Sequence, residues 1–205
     1  MIRNIIFDMG GVLIRFDRDY FLERLGITGD DKRLLMREVF LSVEWAMMDR
    51  GALTDEEAAQ IICKRVPQRL HDAVHKLVAM WDRPILEIDG MYELVEELKG
   101  LGYGIYLLSN ASCRQHDYWP RIPASKFFDG KLISCDVKLV KPQPEIFLLM
   151  LQTFHLRAEE CFFIDDSPVN IEGALWSGLN GTVFYNDIAL LRKKLSEAGV
   201  PVKQV

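Results

Sequence analysis

Short unbroken apolar runs alternate, along this chain of 205 residues, with stretches whose apolar residues recur every three or four positions. Ile5-Ile6-Phe7 is such a run; it stops at Asp8 and leads into Gly10-Gly11, which predicts a buried strand that ends at a turn with a carboxylate at its C-terminal end. From about Asp17 to Asp82 the pattern is helical, with Phe21, Leu22 and Leu25, then Leu34, Leu35 and Val39, at helical spacing. Thr54-Asp55-Glu56-Glu57 supplies an N-cap with a carboxylate at the third helical position, so a further helix is expected to start there. No strand is expected in this stretch.

After Pro84, Met91, Leu94, Val95, Leu98 and Leu101 form one face of a helix that Gly102 closes. Tyr103 to Leu108 then reads as a second buried strand ending in Ser109-Asn110, and Lys131 to Cys135 as a third, ahead of Lys141-Pro142. Glu145 to Phe154 reads as a helix, Cys161 to Ile164 as a strand ending in Asp165-Asp166, and Gly181 to Tyr185 as a fifth strand. Strands alternating with helices predict an α/β fold, a parallel sheet covered on both faces, with an all-helical insertion after the first strand. In such sheets ligands lie beyond the carboxyl ends of the strands. Asp8, Ser109, Asn110, Asp165 and Asp166 all fall there.

Composition narrows the function classes. With 49% hydrophobic residues the chain can bury a full core, and its 25 basic and 30 acidic residues, net charge -5, contain no Lys/Arg run that would track a phosphate backbone. Nucleic acid is therefore not an expected partner. Cys63, Cys113, Cys135 and Cys161 stand far apart without C-x-x-C spacing, and are expected to be reduced, mostly buried thiols. The first apolar run is too short for a signal peptide and no stretch is long enough for a membrane helix, so a cytoplasmic location is expected.

Three carboxylates converging on one crevice repel each other unless a cation is present. Magnesium suits them, since it takes one or two carboxylates together with water and phosphate oxygens. Lys141 adds positive charge, and Ser109 and Asn110 offer a hydroxyl and an amide to a phosphoryl group. One carboxylate can then attack the phosphorus and form an aspartyl-phosphate that water hydrolyses. Asp8, alone at the end of the first strand, is the expected nucleophile, and the Asp165-Asp166 pair suits metal binding.

Phe7-Asp8-Met9-Gly10-Gly11-Val12-Leu13, Leu108-Ser109-Asn110, Lys141-Pro142 and Phe163 to Asn170 resemble, in order, the four motifs of the haloacid dehalogenase-like hydrolases. The Asp-x-Gly opening, the Trp119-Pro120 pair and the Asp-Asp-x-x-x-Asn ending are similar to the sugar-1-phosphate phosphatase branch. The resemblance implies a Rossmann-like core over residues 1–16 and 86–205, a helical cap over 17–85, and magnesium as cofactor. It also implies Asp8 as nucleophile, with Asp8, the Gly10 carbonyl, Asp165 and Asp166 around the metal, and phosphate contacts from Ser109, Asn110 and Lys141. A small phosphorylated metabolite such as a hexose-1-phosphate is the implied substrate. One position departs from the family: most of its phosphatases carry a general acid–base aspartate two residues after the nucleophile, where this chain has Gly10.

That departure keeps two other readings open, a metal-independent dehalogenase and a phosphometabolite-binding protein without turnover. Within the insertion, His71 and His75 lie four apart but are expected on a polar helix face. Trp45, Met47, Met48 and Trp81 are expected in its core rather than in a pocket, and Asp49 and Arg50 are the expected substrate contacts.

Overall fold

The structure is a computed structural model that describes residues 1–203. Its first strand, β1 (Asn4–Phe7), is followed by helices α1 (Arg18–Arg24), α2 (Gly29–Leu35), α3 (Val43–Asp49), α4 (Asp55–Cys63) and α5 (His71–Ala79), with a π-helical turn over Met36–Phe40. Helix α6 (Met91–Gly100) then leads to β2 (Gly104–Ser109), α7 (Gln115–Tyr118), β3 (Gly130–Ile133) and α8 (Ser134–Val137). The chain ends with α9 (Pro144–Thr153), β4 (Cys161–Asp165), α10 (Pro168–Trp176), β5 (Asn180–Val183) and α11 (Ile188–Glu197).

The strands form one parallel sheet in the order β3-β2-β1-β4-β5. Sequence-adjacent β1 and β2 pair, while β4 returns to the other side of β1, so the crevice opens beside β1 at the point where the strand order reverses. Register fixes what reaches that edge: Phe7 is opposite Leu107 on one side and Ile164 on the other, which brings Asp8, Ser109 and Asp165 to one end of the sheet.

The unbroken apolar runs follow from burial on both faces. Ile5 and Phe7 join Ile105, Leu107, Phe162 and Ile164 in a core that continues into α6, α11 and the helical insertion. Ile6 points the other way, with Leu108 and Phe163, onto Ile146, Phe147 and Met150 of α9 and Ala174 of α10. The expected capping box at Thr54 is present, with Thr54 Oγ1 accepting from Glu57 N and Glu57 Oε2 accepting from Thr54 N.

Two strand ends differ from the sequence reading. The third strand stops at Ile133, and Ser134 and Cys135 open the short helix α8; Cys135 is apolar through burial, not through strand pairing. The fifth strand ends at Val183, after Phe184 N has donated to Asp165 O, so Tyr185 leaves the sheet. Among the described residues no helix is long and apolar enough to cross a membrane.

The insertion is seated at two places. Asp82, fully buried, is gripped by Arg114 and Arg121 from the segment after β2, and the Asp82 carbonyl also accepts from Arg121 Nη1 at 3.0 Å. On the other side Ser134 Oγ donates to Asp49 O at 2.5 Å and Lys138 Nζ donates to Gly51 O at 2.6 Å, which pins the end of α3 to α8. Phe16, between the two layers, packs edge-on against Phe21 at 5.5 Å and Trp81 at 5.0 Å.

Candidate active site

Asp8 leaves β1 with its backbone N–H donated to Ile164 O at 2.8 Å and its side chain at the strand's end, almost wholly buried. Lys141 Nζ lies 2.8 Å from Asp8 Oδ1 and 2.6 Å from Asp165 Oδ2, and donates to Leu108 O at 2.9 Å. Three partners match the three N–H bonds of an ammonium, so this buried charge is fully satisfied. Burial works against the Lys141 ammonium, but Asp8 and Asp165 outweigh it and raise its pKa. Burial pushes the Asp8 carboxyl up to about 7, against the pull of Lys141 and with Asp165 adding to the rise.

The neighbouring aspartates divide their work. Asp165 Oδ1 accepts from Ser167 N at 2.8 Å and Asn170 Nδ2 at 3.0 Å, and Oδ2 holds Lys141. Both of its oxygens therefore have hydrogen-bond partners. Asp166 instead lines the cavity, and its carboxyl is raised by burial and by Asp165. It lies against Gly11, whose φ of +78° and contact with the Asp166 carboxyl leave no room for a Cβ.

Carboxylate oxygens of Asp8, Asp165 and Asp166 lie within 4.8 Å of one another. All-oxygen donors in such a group, with the Asp8 and Asp166 carboxyls raised and the Lys141 ammonium beside them, fit a hard divalent ion. Ser109 gives the fit to an anion: it is 1% exposed and its Oγ is buried without a hydrogen-bond partner among the described residues. Asn110 lines the cavity, but its amide is occupied, with Oδ1 accepting from Lys141 N at 2.8 Å and Nδ2 donating to Lys141 O at 3.0 Å. The amide expected to contact phosphate thus makes one hydrogen bond at each end to the Lys141 backbone.

Above the sheet edge is a cavity of about 1140 Å³, bounded by Asp8, Gly10, Asn110 and Asp166 below and by the insertion above. Trp45, Met48 and Trp81 are on its wall, so these residues serve the pocket as well as the core expected of them, whereas Met47 is not among its lining residues. Asp49 also faces it; burial, then the charges of Asp8 and Asp55, push its carboxyl up to about 7. Arg50 turns outward, with Nη2 3.4 Å from Gln143 Oε1. His71 Nε2 lies 3.3 Å from Val66 O, and His75 faces Cys63 and Glu56.

Arg15, Arg18, Ser112 and Tyr118 line the cavity too and were not singled out in the sequence. The two arginines flank the first crossing into the insertion, which was the available signal. The side chains of Ser112 and Tyr118 come to the cavity only through tertiary packing.

A family model described as haloacid dehalogenase-like hydrolase matches residues 2–178. The chain is similar to a D-ribitol-5-phosphate phosphatase of Bacteroides thetaiotaomicron, 27% identical over 183 residues, 83% of this chain and 86% of that one. Two longer curated relatives match over less than half of their own length. Among solved structures, a predicted haloacid dehalogenase-like family hydrolase from Porphyromonas gingivalis superposes with a TM-score of 0.72 at 25% identity, covering 95% of this chain and 98% of the other. A Bacteroides thetaiotaomicron family enzyme in complex with magnesium and inorganic phosphate shares the fold, with a TM-score of 0.69 at 24% identity over 93% of this chain and 99% of that chain.

Proposed function

The chain belongs to the haloacid dehalogenase-like hydrolases, and we propose that it is a magnesium-dependent phosphatase of a small sugar or polyol phosphate, working through an aspartyl-phosphate on Asp8. The observation that carries this reading is the Asp8 carboxylate at the cavity floor, 2.8 Å from the buried Lys141 ammonium and beside Asp166. Similarity to a phosphatase of ribitol phosphate supports the substrate class, as does a wall that mixes Arg15, Arg18 and Asp19 with Trp45 and Trp81. Such a wall suits hydroxyls on one side and C–H faces on the other.

Asp8 and Asp166, with the Gly10 carbonyl, would hold magnesium, while Asp165 stays on Lys141. The ion supplies neutralisation and alignment of the phosphate oxygens. An Asp8 oxygen attacks phosphorus, the bond from phosphorus to the leaving oxygen breaks, and water then cleaves the aspartyl-phosphate to release phosphate and regenerate Asp8. Lys141 spreads positive charge onto the Asp8 side of the reacting group. Ser109 Oγ donates its free proton to a phosphate oxygen.

Gly10 removes the family's acid–base carboxylate, and Asp49 is our candidate for its work. It approaches from the cap side of the cavity, its carboxyl retains a proton to about 7, and its own carbonyl is fixed by Ser134 Oγ. Residues 17–85 form the cap in this reading and 1–16 with 86–205 the core, supported by the backbone bond from Arg15 N to Leu86 O at 2.7 Å that ties the two crossings together. We place the enzyme in the cytoplasm, a reducing compartment that suits four unbridged cysteines.

Metal-independent dehalogenation fits less well, because Asp8, Asp49 and Asp166, which line the cavity, would face a carboxylate substrate with no added cation. Phosphate release from a panel of sugar and polyol phosphates, with and without magnesium, tests the proposal. Release that needs magnesium supports it; halide release from a 2-haloacid without magnesium, or no turnover on any ester, rejects it.

A further inference from the structure

Away from the cavity floor, the fold brings together a second group of metal-binding side chains from segments that are distant in sequence. Cys113 follows β2, Cys135 and Asp136 lie on α8, and one ligand atom from each lies within 4.8 Å of the other two. Parallel pairing of β2 with β3 sets the two segments side by side.

We propose that Cys113, Cys135 and Asp136 form a binding site for a thiophilic divalent cation, of the zinc type, separate from the aspartate group at Asp8. Two thiolates and a carboxylate are a borderline-soft donor set that favours zinc over magnesium, and three protein ligands leave a fourth tetrahedral position for water. Ligands held about 2.0–2.3 Å from a tetrahedral ion lie roughly 3.5–3.8 Å apart, so side-chain rotation closes the present group around one. Both thiols lose their protons to solvent as the two sulfur–metal bonds form.

The surroundings are arranged for this. Cys135 is buried and Cys113 exposed, which gives the ion an entry from solvent. Cys135 Sγ lies 3.4 Å from Asp136 Oδ1, so the sulfur and the carboxylate already face one another. His116 Nε2 is 2.9 Å from Asp136 Oδ1, while its Nδ1 faces Lys131 Nζ at 2.8 Å. Accepting from Lys131 at Nδ1 makes Nε2 the donor, so His116 orients the carboxylate from behind, and its ring stands between Lys131 and the ligand atoms.

Position gives the site a consequence. Ser134, next to Cys135, accepts from Ala111 N at 2.9 Å and donates to Asp49 O, so an ion shared by Cys113 and Cys135 ties the loop after β2 to the place where the cap is seated.

Cobalt(II) tests this in the reduced, full-length chain with magnesium in excess to fill the aspartate site. Saturable cobalt binding with a thiolate-to-cobalt charge-transfer band, displaced by zinc, is expected. The band should be lost in Cys113→Ser and retained in Asp8→Asn. Zinc should also slow alkylation of the exposed Cys113 thiol in the native chain by tenfold or more, a readout that needs no variant. No charge-transfer band, a band that survives Cys113→Ser, or an alkylation rate indifferent to zinc would overturn the proposal.

Discussion

Replacing Asp49 by asparagine keeps the shape of the cavity wall and removes one ionisable proton. Asp49, at the end of α3 in the helical insertion, lines the cavity, its carboxyl is pushed up to about 7, chiefly by burial, and the end of α3 is fixed by Ser134. If Asp49 protonates the leaving oxygen, its loss should slow phosphoryl transfer from an alkyl phosphate by 10²–10⁴-fold, about 3–5 kcal/mol in barrier. A 4-nitrophenyl ester needs no such proton, and its rate should fall less than about tenfold. The ratio of kcat/KM for the two substrates is the assay, because it covers the steps through transfer to Asp8 and leaves out the later hydrolysis. The pH profile adds a second readout. A donor must hold its proton, so native kcat/KM for the alkyl ester should decline as pH rises through about 7, and Asp49→Asn should lose that limb. Equal losses on both esters, or an alkaline limb unchanged by the substitution, would refute the role.

Gly10→Asp should be accepted, since a Cβ there would meet only Phe16 Cβ at 3.7 Å, and it should raise alkyl-phosphate turnover and rescue Asp49→Asn; no rescue would separate the two positions. Asp82→Ala should destabilise the fold by about 3 kcal/mol, at the low end for a broken buried pair because Arg114 and Arg121 keep some solvent contact; urea unfolding measures it. Without metal, Asp8 and Asp49 have folded pKa values of about 7 against an ordinary value of 3.8. Their contribution to stability is therefore full below the unfolded value and lost as pH rises through about 7. The Tm of metal-free protein should fall as pH rises from about 4 to about 7, between the unfolded and folded midpoints, with magnesium restoring more at the upper end. A flat profile would contradict the burial argument.

The strands were legible because parallel strands buried on both faces must be apolar throughout, as Ile5 to Phe7 and Cys161 to Ile164 are. Strand ends carrying Asp8, Ser109 and Asp165 followed from the same runs. The third strand was read too long because Cys135 continues an apolar pattern that the helical turn at Ser134 has already left. Side-chain assignments were harder to read. Nothing local to Asn110 says that both ends of its amide are taken by Lys141, thirty-one residues on. Asp49, Trp45 and Trp81 face the cavity because the insertion folds back over the sheet, and Cys113 meets Cys135 because β2 and β3 pair. These are long-range relations, and residue periodicity does not encode them.

The most direct test of the central claim is acid quenching of the enzyme during turnover of a reactive phosphate ester with magnesium, followed by mass spectrometry of the peptide that carries Asp8. A phosphoryl adduct on Asp8 that forms with native protein and is absent from Asp8→Asn, together with a loss of turnover of roughly 10⁴-fold or more in that variant, is the predicted result. Steady phosphate release with Asp8 unmodified, and with Asp8→Asn still active, would contradict it.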